Sequence, residues 1–426
     1  MRADLLLSNI GQLVTMNGGL KGPKLGAGLG EVEPIQGAAV AIRDGEVVAL
    51  GPEGQVRSGL QLEPDATEID LGGKLAVPGF VDPHTHAVFA GSREDEFVLR
   101  LGGATYSEIL ASGGGIMSTV SATRQASFDE LLALGRERLL TMLAHGTTTV
   151  EVKTGYGLDT ETELKLLRVA KELARQTPLE VAITFMGAHV VPFDYRERPD
   201  RYVDIVVEEM IPAVAQEGGA KFCDVFCEAG VFTPEQSRRI LEAGLRHGMI
   251  PRLHADELEA SGGSQLAAAL GAVSADHLVH VPAEGIAALA ESGVVAVLLP
   301  GTTFSLLTSR YAPARDLIAA GVPVALATDY NPGTCPTPSM QMVMALACRQ
   351  MRMTPAEALA AATVNAAHSL QMGGAVGSLA VGMRADVAVF DVPSYDFIPW
   401  HFGTNLVDKV FAGGALVVDG GESLYS

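Results

Sequence analysis

The chain has 426 residues, of which 48% are hydrophobic and 19% are charged, so it can build an extensive core and is not typical of a disordered protein. Its formal net charge of −20, with no dense lysine and arginine tract, makes nucleic acids and anionic membranes unfavourable partners. The four cysteines form no Cys-x-x-Cys pair, which argues against a disulfide scaffold or a zinc ribbon and favours a reducing cytoplasm.

The first residues do not fit a signal peptide, because Arg2 is followed at once by Asp4 and then by only a short apolar run. No uninterrupted apolar segment reaches the length that spans a bilayer. We therefore expect a soluble, cytoplasmic protein.

Residues 4–70 have the pattern of short β segments, such as 38–42 and 47–50, separated by glycine and proline turns. The glycine-rich stretch 18–30 lacks both the Gly-Lys-Ser/Thr ending of a phosphate loop and a following helix. It predicts a flexible surface loop.

An apolar run over residues 76–82 then stops at Pro83 and is followed by His84-Thr85-His86. Successive side chains of a strand alternate in direction, so both histidines project from one face and can share a metal ion. Pro83 lacks an N–H and therefore suits the place where sheet pairing ends. Taken alone, the pair fits two core histidines equally well.

From here on, short β-rich runs alternate with long helical patterns, which predicts an α/β fold with a parallel sheet and crossover helices. The runs after the first cover residues 146–153, 179–187, 221–227, 249–254, 273–277, 294–298 and 323–328. The helical patterns cover residues 161–176, 234–247, 261–270, 283–292 and 313–320. Eight such units favour closure into a TIM-like (β/α)8 barrel, and a doubly wound open sheet is the alternative.

Two more helices, residues 339–351 and 354–370, follow the eighth strand, and short β segments return in 377–391 and 410–419. We therefore predict a barrel catalytic domain of residues 73–374. A small composite β-sandwich domain, formed by residues 1–72 and 375–426, lies beside it.

Polar residues are concentrated at the C-terminal ends of the predicted strands, where barrels of this type carry their chemistry. Five of the ten histidines fall there, namely His84, His86, His189, His254 and His277, and Asp329 follows the eighth strand. Chance scatter would leave several of these histidines on outer helices. The other five fit capping, surface or core positions, namely His145, His247, His280, His368 and His401.

These positions resemble the mononuclear metal site of the amidohydrolase superfamily, and the resemblance spans essentially the whole chain. The strings that begin at His84, Glu151, Gly187, His254 and Thr328 further resemble the imidazolonepropionase family within it. The resemblance implies His84, His86, His254 and Asp329 as ligands of one Zn²⁺ or Fe²⁺, a donor set that would suit Mg²⁺ poorly. Such a cation lowers the pKa of bound water from about 15.7 to about 7.

The resemblance also implies residue roles. The predicted catalytic residues are Glu257, His277 and Asp329, with the proton shuttle among them left open. The predicted substrate-binding residues are Arg93, Tyr156, His189, Glu257, Asn331, Gly333 and Thr334. Arg93 is expected to bind a substrate carboxylate through two parallel hydrogen bonds. The 331–334 turn is expected to offer backbone N–H groups to the same carboxylate. Lys153 resembles the lysines that carry a bridging carboxylate in binuclear relatives, but its surroundings match the mononuclear family.

The implied reaction is hydrolysis of the cyclic amide of 4-imidazolone-5-propanoate to N-formimidoyl-L-glutamate, a step in histidine degradation. The implied partner is this small molecule, with a possible homodimer. One alternative is another mononuclear amidohydrolase, such as a purine or pyrimidine aminohydrolase that releases ammonia. A non-catalytic barrel scaffold is a further alternative, against which the complete ligand set argues.

Overall fold

The N-terminal part of the chain forms five strands, of which the first four belong to a region rich in Val, Ile, Leu and Ala. A computed structural model describes residues 1–17, 21–103, 108 and 114–425. The strands are β1 (Arg2–Leu13), β2 (Ile35–Arg43), β3 (Glu46–Pro52), β4 (Gln61–Asp70) and β5 (Leu75–Pro78). β1 pairs antiparallel with β2 and parallel with β4 and β5.

The next eight strands pair in parallel in sequence order, which gives the barrel its inner wall. They are β6 (Phe80–Asp82), β7 (Thr147–Lys153), β8 (Glu180–Ala188), β9 (Phe222–Cys227), β10 (Ile250–Ala255), β11 (Ser274–His277), β12 (Val295–Leu298) and β13 (Val324–Leu326). The predicted eight-strand barrel is confirmed, and the bounds of these strands lie close to the predicted runs.

The first and last barrel strands meet just beyond their C-terminal ends, which nearly closes the barrel. Asp329 N–H donates to the His84 carbonyl at 3.0 Å, and Thr85 and Tyr330 form a parallel bridge. The Thr328 hydroxyl donates to Asp82 Oδ2 at 2.5 Å. This closure places the end of β6 beside the end of β13.

Sixteen α-helices lie within the described residues; most of them follow barrel strands and pack apolar side chains against the outside of the barrel, whereas the first and the last belong to the part of the chain that forms the other sheet. They are α1 (Glu53–Ser58), α2 (Glu94–Leu101), α3 (Ile116–Gln125), α4 (Phe128–Ala144), α5 (Thr160–Gln176), α6 (Pro199–Ile205), α7 (Ile211–Glu217), α8 (Pro234–Arg246), α9 (Gly263–Leu270), α10 (Ala283–Ser292), α11 (Pro300–Ser305), α12 (Ala314–Ala319), α13 (Met340–Gln350), α14 (Pro355–Ala361), α15 (Val364–Ser369) and α16 (Phe397–Trp400). No helix in these described ranges is long and apolar enough to cross a membrane.

The C-terminal strands return to the N-terminal ones and complete a mixed nine-stranded sheet. They are β14 (Val387–Phe390), β15 (Val407–Ala412), β16 (Ala415–Asp419) and β17 (Glu422–Ser423). β14 pairs with β5, which joins the two chain ends. The separate β unit built from both ends is confirmed, and its strands are hydrogen-bonded into one sheet with its own apolar cluster.

Three local predictions differ from the structure. The run from residue 76 to 82 is two strands in two sheets, broken at Gly79, where a Cβ would lie 2.2 Å from Thr148 Oγ1. The helix expected over 354–370 is two helices, and Thr363 between them donates its hydroxyl to the Leu359 carbonyl at 2.6 Å. In the predicted loop 18–30, Gly26–Gly30 is a 3-10 turn that buries Leu29, whereas residues 18–20 lie outside the described residues.

Candidate metal centre and active site

The four predicted ligands converge at the C-terminal end of the barrel. His84 Nε2 lies 3.5 Å and His86 Nε2 lies 3.6 Å from Asp329 Oδ1. The ring centre of His254 lies 4.5 Å from that of His84 and 5.5 Å from that of His86. All four side chains are buried. Residues from β6, β10 and the end of β13 thus face one point.

The spacing of these atoms fits a shared cation. Ligands bound at about 2.0–2.1 Å to a tetrahedral ion lie about 3.4 Å from one another, close to the observed separations. These separations are too long for a good hydrogen bond, and His84 Nε2 has no hydrogen-bond partner within the described ranges. The cluster is a site for a divalent metal ion.

Two buried carboxylates orient the ligand histidines. His84 Nδ1 lies 2.7 Å from Asp276 Oδ2, and His254 Nδ1 lies 3.1 Å from Asp224 Oδ1. An ionised carboxylate only accepts hydrogen bonds, so each Nδ1 carries the proton and donates it. The Nε2 lone pairs are therefore left for the metal, as in the carboxylate–histidine–metal arrangements of many proteins.

A fully buried charged cluster lies beneath the ligands. Lys153 Nζ is 2.8 Å from both Glu151 Oε1 and Asp224 Oδ2, and Arg252 Nη2 is 3.2 Å from Asp276 Oδ2. Burial opposes ionisation of Asp224, but Lys153 and His254 hold its pKa well below the usual range. Lys153 therefore favours the charged form of Asp224, the carboxylate that orients His254.

Lys153 occupies this cluster as an ion-pair partner of carboxylates. A carboxylated lysine would add a negative charge beside Glu151, Asp224 and Asp276, all of which are buried. The geometry therefore argues against a lysine-bridged second metal.

His277 and Glu257 form a second group beside the metal ligands. His277 ligand atoms lie within 4.8 Å of those of His84 and His254, and His277 Nε2 is 3.5 Å from Glu257 Oε2. Burial, followed by the charges of Asp329 and Glu228, raises the pKa of Glu257 well above its usual value. Burial lowers the pKa of His277. The two shifts favour the uncharged forms of both groups.

Asp329 divides its two carboxylate oxygens between the metal site and the protein. Thr302 lies in α11, just after the seventh barrel strand, and donates its hydroxyl to Asp329 Oδ2 at 2.5 Å. Oδ1 is left facing His84 and His86. Burial raises the pKa of Asp329 to about 6, and a bound divalent cation acts in the opposite direction.

A cavity of about 500 Å³ opens over the metal ligands. This volume lies within the range of small-molecule pockets. Its lining includes His86, His254 and Asp329 together with the predicted residues Arg93, Tyr156, His189, Glu257, His277, Asn331 and Thr334. Two predicted site residues do not line it: the predicted ligand His84, which lies deeper, fully buried, and Gly333.

Tyr156 and His189 form an aromatic wall next to His86. The rings of His86 and His189 stack with centres 4.9 Å apart, and Tyr156 lies 5.3 Å from His189. Burial, followed by the charge of His254, lowers the pKa of His189 to about 3, so this imidazole is neutral. Its Nδ1 donates to the Gly155 carbonyl at 3.1 Å, which leaves Nε2 as an acceptor.

Arg93 lines the cavity, and Glu96 holds its guanidinium group in place. Its Nε and Nη2 donate to Glu96 Oε2 at 3.0 and 2.8 Å, and its side chain is 8% exposed. A Cβ on Gly333 would lie 2.0 Å from Arg93 Nη1. Gly333 therefore supplies the space in which the guanidinium sits.

The 331–334 turn differs from the prediction that its backbone N–H groups face a ligand. The N–H groups of Gly333 and Thr334 both donate to Asn331 Oδ1 at 2.8 Å. Because that oxygen already accepts them, they are not available to a substrate carboxylate.

Sequence reasoning did not assign Thr302, Asp224 or Arg252 to the site. Asp224 and Arg252 lie inside strands β9 and β10, and Arg252 precedes His254 by two residues, so the two share a face of the strand. A charged residue at the inward positions of a barrel strand is the signal that could have identified them. Thr302 carried no ionisable group and therefore no such signal.

Comparison with known proteins agrees with this geometry. The sequence profile described as "Amidohydrolase family" matches residues 75–417. An imidazolonepropionase of Alkaliphilus metalliredigens (strain QYMF) is 50% identical over 422 residues, covering 99% of this chain and 100% of the relative. The imidazolonepropionase of Symbiobacterium thermophilum (strain DSM 24528 / JCM 14929 / IAM 14863 / T) is 53% identical over 420 residues and covers 98% of each chain. This chain belongs to the imidazolonepropionase family of amidohydrolases.

Solved structures of other enzymes extend the comparison to the fold. A zinc-bound adenosine deaminase from Xanthomonas campestris superimposes with a TM-score of 0.73 at 19% identity, covering 100% of this chain and 95% of that one. A triazine hydrolase variant gives 0.75 at 18% identity, covering 99% and 96%. At this identity they share the fold alone. The predicted resemblance to the imidazolonepropionase family is confirmed, and the chain is a hydrolase of that family.

Proposed function

We propose that this enzyme hydrolyses the cyclic amide C–N bond of 4-imidazolone-5-propanoate to give N-formimidoyl-L-glutamate, a step in histidine degradation. One observation carries the proposal: a single cavity is lined both by the histidine and aspartate metal ligands and by the buried guanidinium of Arg93. An amide carbonyl at the first and a carboxylate tail at the second are the two ends of this substrate. The names of the two imidazolonepropionase relatives support it.

His84, His86, His254 and Asp329 hold one Zn²⁺ or Fe²⁺ in this proposal, because imidazole with a carboxylate suits either ion. When bound, the ion supplies a Lewis acid that polarises the amide carbonyl and makes water acidic enough to attack it near neutral pH. Asp276 and Asp224 keep two of the ligand imidazoles in the tautomer that ligation requires.

Three side chains are available to move protons. One of two groups, Asp329 or the neutral His277, accepts the single proton that the attacking water loses as the new C–O bond forms. Glu257 is protonated because burial raises its pKa, so it donates a proton to the ring nitrogen as the C–N bond breaks. The products then carry a carboxylate where the amide was and a protonated nitrogen on the formimidoyl group.

The remaining predicted residues position the substrate. Arg93 binds the propanoate carboxylate, and Tyr156 and His189 contact the imidazolone ring from the wall beside His86. Asn331 and Thr334 line the same cavity, while Gly333 acts through the space that it leaves for Arg93.

The proposal includes the cellular context and the organisation of the chain. The four free cysteines, three buried and one half-buried, support a reducing cytoplasm. We assign the chemistry to a barrel domain of residues 73–374 and regard residues 1–72 and 375–426 as the accessory β domain. We infer a homodimer from the family alone.

The direct test follows the loss of ultraviolet absorbance of 4-imidazolone-5-propanoate with native, chelated and metal-restored protein. We expect turnover that chelation abolishes and Zn²⁺ or Fe²⁺ restores. No turnover by metal-loaded protein, together with ammonia release from a purine or pyrimidine, would replace the proposal with the aminohydrolase alternative.

Arg93→Ala is expected to raise KM with a smaller effect on kcat, since the tail lies away from the reacting bond. Loss of one partner of a desolvated charge pair costs about 2–5 kcal/mol, which is roughly 30-fold or more in KM. Steady-state kinetics on the imidazolone measure it, with Arg175→Met as the control because that arginine side chain is 74% exposed on α5. An unchanged KM would remove Arg93 from the carboxylate site.

Gly333→Ala is expected to raise KM without removing any charged group, because the new methyl group overlaps the position of Arg93 Nη1. Displacing the guanidinium weakens the same contact, so the double variant with Arg93→Ala should be no worse than Arg93→Ala alone. Gly374→Ala, at a glycine that like Gly333 has no positive φ and whose Cβ would meet nothing within 4 Å, is the matched control. Additive losses in the double variant would contradict this coupling.

A further inference from the structure

A second arginine, Arg100, lines the cavity seven residues after Arg93, at the other end of α2. Arg93 is the N-cap residue that precedes α2, Arg100 lies in its last turn, and both side chains line the cavity. Both guanidinium groups therefore face the same cavity.

Among the described residues of α2, one carboxylate lies close to both guanidinium groups. Glu96 is that carboxylate, and both of its oxygens are engaged: Oε2 accepts from Arg93, and Oε1 accepts Gly115 N–H at 2.7 Å. One carboxylate thus faces two guanidinium groups. Burial, followed by the charge of Arg93, lowers the pKa of Arg100, as expected for two cations that share an incompletely neutralised region.

Arg100 also has an N–H group that can donate a hydrogen bond to a ligand. Its Nη2 donates to the Gly333 carbonyl at 3.0 Å, which fixes the head of the side chain above the 331–334 turn. Its Nε is buried and has no hydrogen-bond partner among the residues that the structure describes. A buried, unpaired N–H of a cation is costly unless a ligand accepts it.

We propose that Arg100 is a second carboxylate-binding residue of the substrate site, so that the propanoate tail binds between the guanidinium groups of Arg93 and Arg100. This inference rests on the proposed function and deepens it, since it makes an anionic tail a condition of good binding. A carboxylate tail offers acceptor oxygens both to the Arg93 guanidinium and to the unpaired Nε–H of Arg100. A cyclic amide with an uncharged tail brings no carboxylate to the two guanidinium groups and is therefore the poorer substrate.

The test compares Arg100→Met with wild-type enzyme on 4-imidazolone-5-propanoate and on its carboxamide analogue, whose tail is neutral. We expect KM for the carboxylate substrate to rise about tenfold or more, with kcat changed less than about threefold. KM for the carboxamide should change less than about twofold, because that tail offers no charge to lose. Arg175→Met should leave all four constants unchanged.

A purely structural role of Arg100, through its hydrogen bond to the Gly333 carbonyl, predicts a different result. If Arg100 only holds the 331–334 turn, Arg100→Met weakens both substrates equally and lowers kcat, which would overturn the inference. Arg100→Gln removes the charge but keeps a neutral amide donor, and it is the variant to use if Arg100→Met does not fold. It should show the same selective rise in KM, whereas recovery of the wild-type KM would overturn the inference.

The inference and the proposed function fail separately. Absence of imidazolone turnover by metal-loaded wild-type enzyme overturns the proposed function and the inference with it. Wild-type turnover accompanied by an unchanged KM in Arg100→Met overturns the inference alone.

Discussion

His86→Ala is expected to abolish stable metal binding and to lower kcat/KM roughly 10³-fold, since the Lewis-acid contribution is worth several kcal/mol. His86 Nε2 lies 3.6 Å from Asp329 Oδ1, and its ring lines the cavity, so the variant loses a ligand without cutting into the apolar core. Elemental analysis after dialysis should show well below one equivalent of metal. Steady-state kinetics on the imidazolone should show the loss in rate.

The matched control is His247→Ala, at an exposed histidine that ends α8. It should retain one equivalent of metal and wild-type kinetics. Full metal occupancy in His86→Ala would remove His86 from the ligand set. Two equivalents per chain in the wild-type enzyme would contradict the single-metal site that the ion pairs of Lys153 favour.

Lys153→Met is expected to lower the free energy of unfolding by about 3–5 kcal/mol, as found when one partner of a buried ion pair is removed. The substitution keeps the length of the side chain but leaves Glu151 and Asp224, both fully buried, without the cation 2.8 Å away. Denaturant unfolding of the metal-free protein measures the loss. In the folded variant, metal affinity should also fall about 10- to 100-fold, because Asp224 orients His254.

Lys171→Met provides the comparison for this variant. Its ammonium group lies 3.2 Å from Glu217 Oε1 on the surface, with 40% of the side chain exposed. Such pairs contribute less than about 1 kcal/mol, so its unfolding midpoint should be close to wild type. Equal stability of the two variants would show that the buried cluster tolerates the loss of its cation.

The buried cluster is unusual for the interior of a barrel, which is commonly filled by branched apolar side chains. Here Lys153, Arg252 and three carboxylates occupy it, all fully buried. Replacing the entire set with apolar residues would not necessarily cost stability. Its retention is therefore best explained by the ligand histidines that Asp224 and Asp276 orient.

The sequence by itself determined the barrel, the β unit from both chain ends and the family, because alternating strand and helix patterns are local and the ligand motifs follow the strands directly. Strand periodicity and strand ends placed five histidines and Asp329 on one rim, and the resemblance to the family singled out His84, His86, His254 and Asp329 among them. The sequence could not assign the orientation of each imidazole. That depends on Asp224 and Asp276, whose role appears only when neighbouring strands are in register.

Only the tertiary structure decided which polar groups are free and which are occupied. The N–H groups of Gly333 and Thr334 are taken up by Asn331, and Arg93 is already paired with Glu96, whereas Arg100 retains an unpaired Nε among the described residues. His277 and Asp329 also adopt positive φ angles of 75° and 53°, a conformation that non-glycine residues reach when surrounding contacts impose it. Residue types and spacing determine which functional groups lie at a strand end. Hydrogen-bond partners distant in the sequence determine how those groups are oriented and which of them remain free.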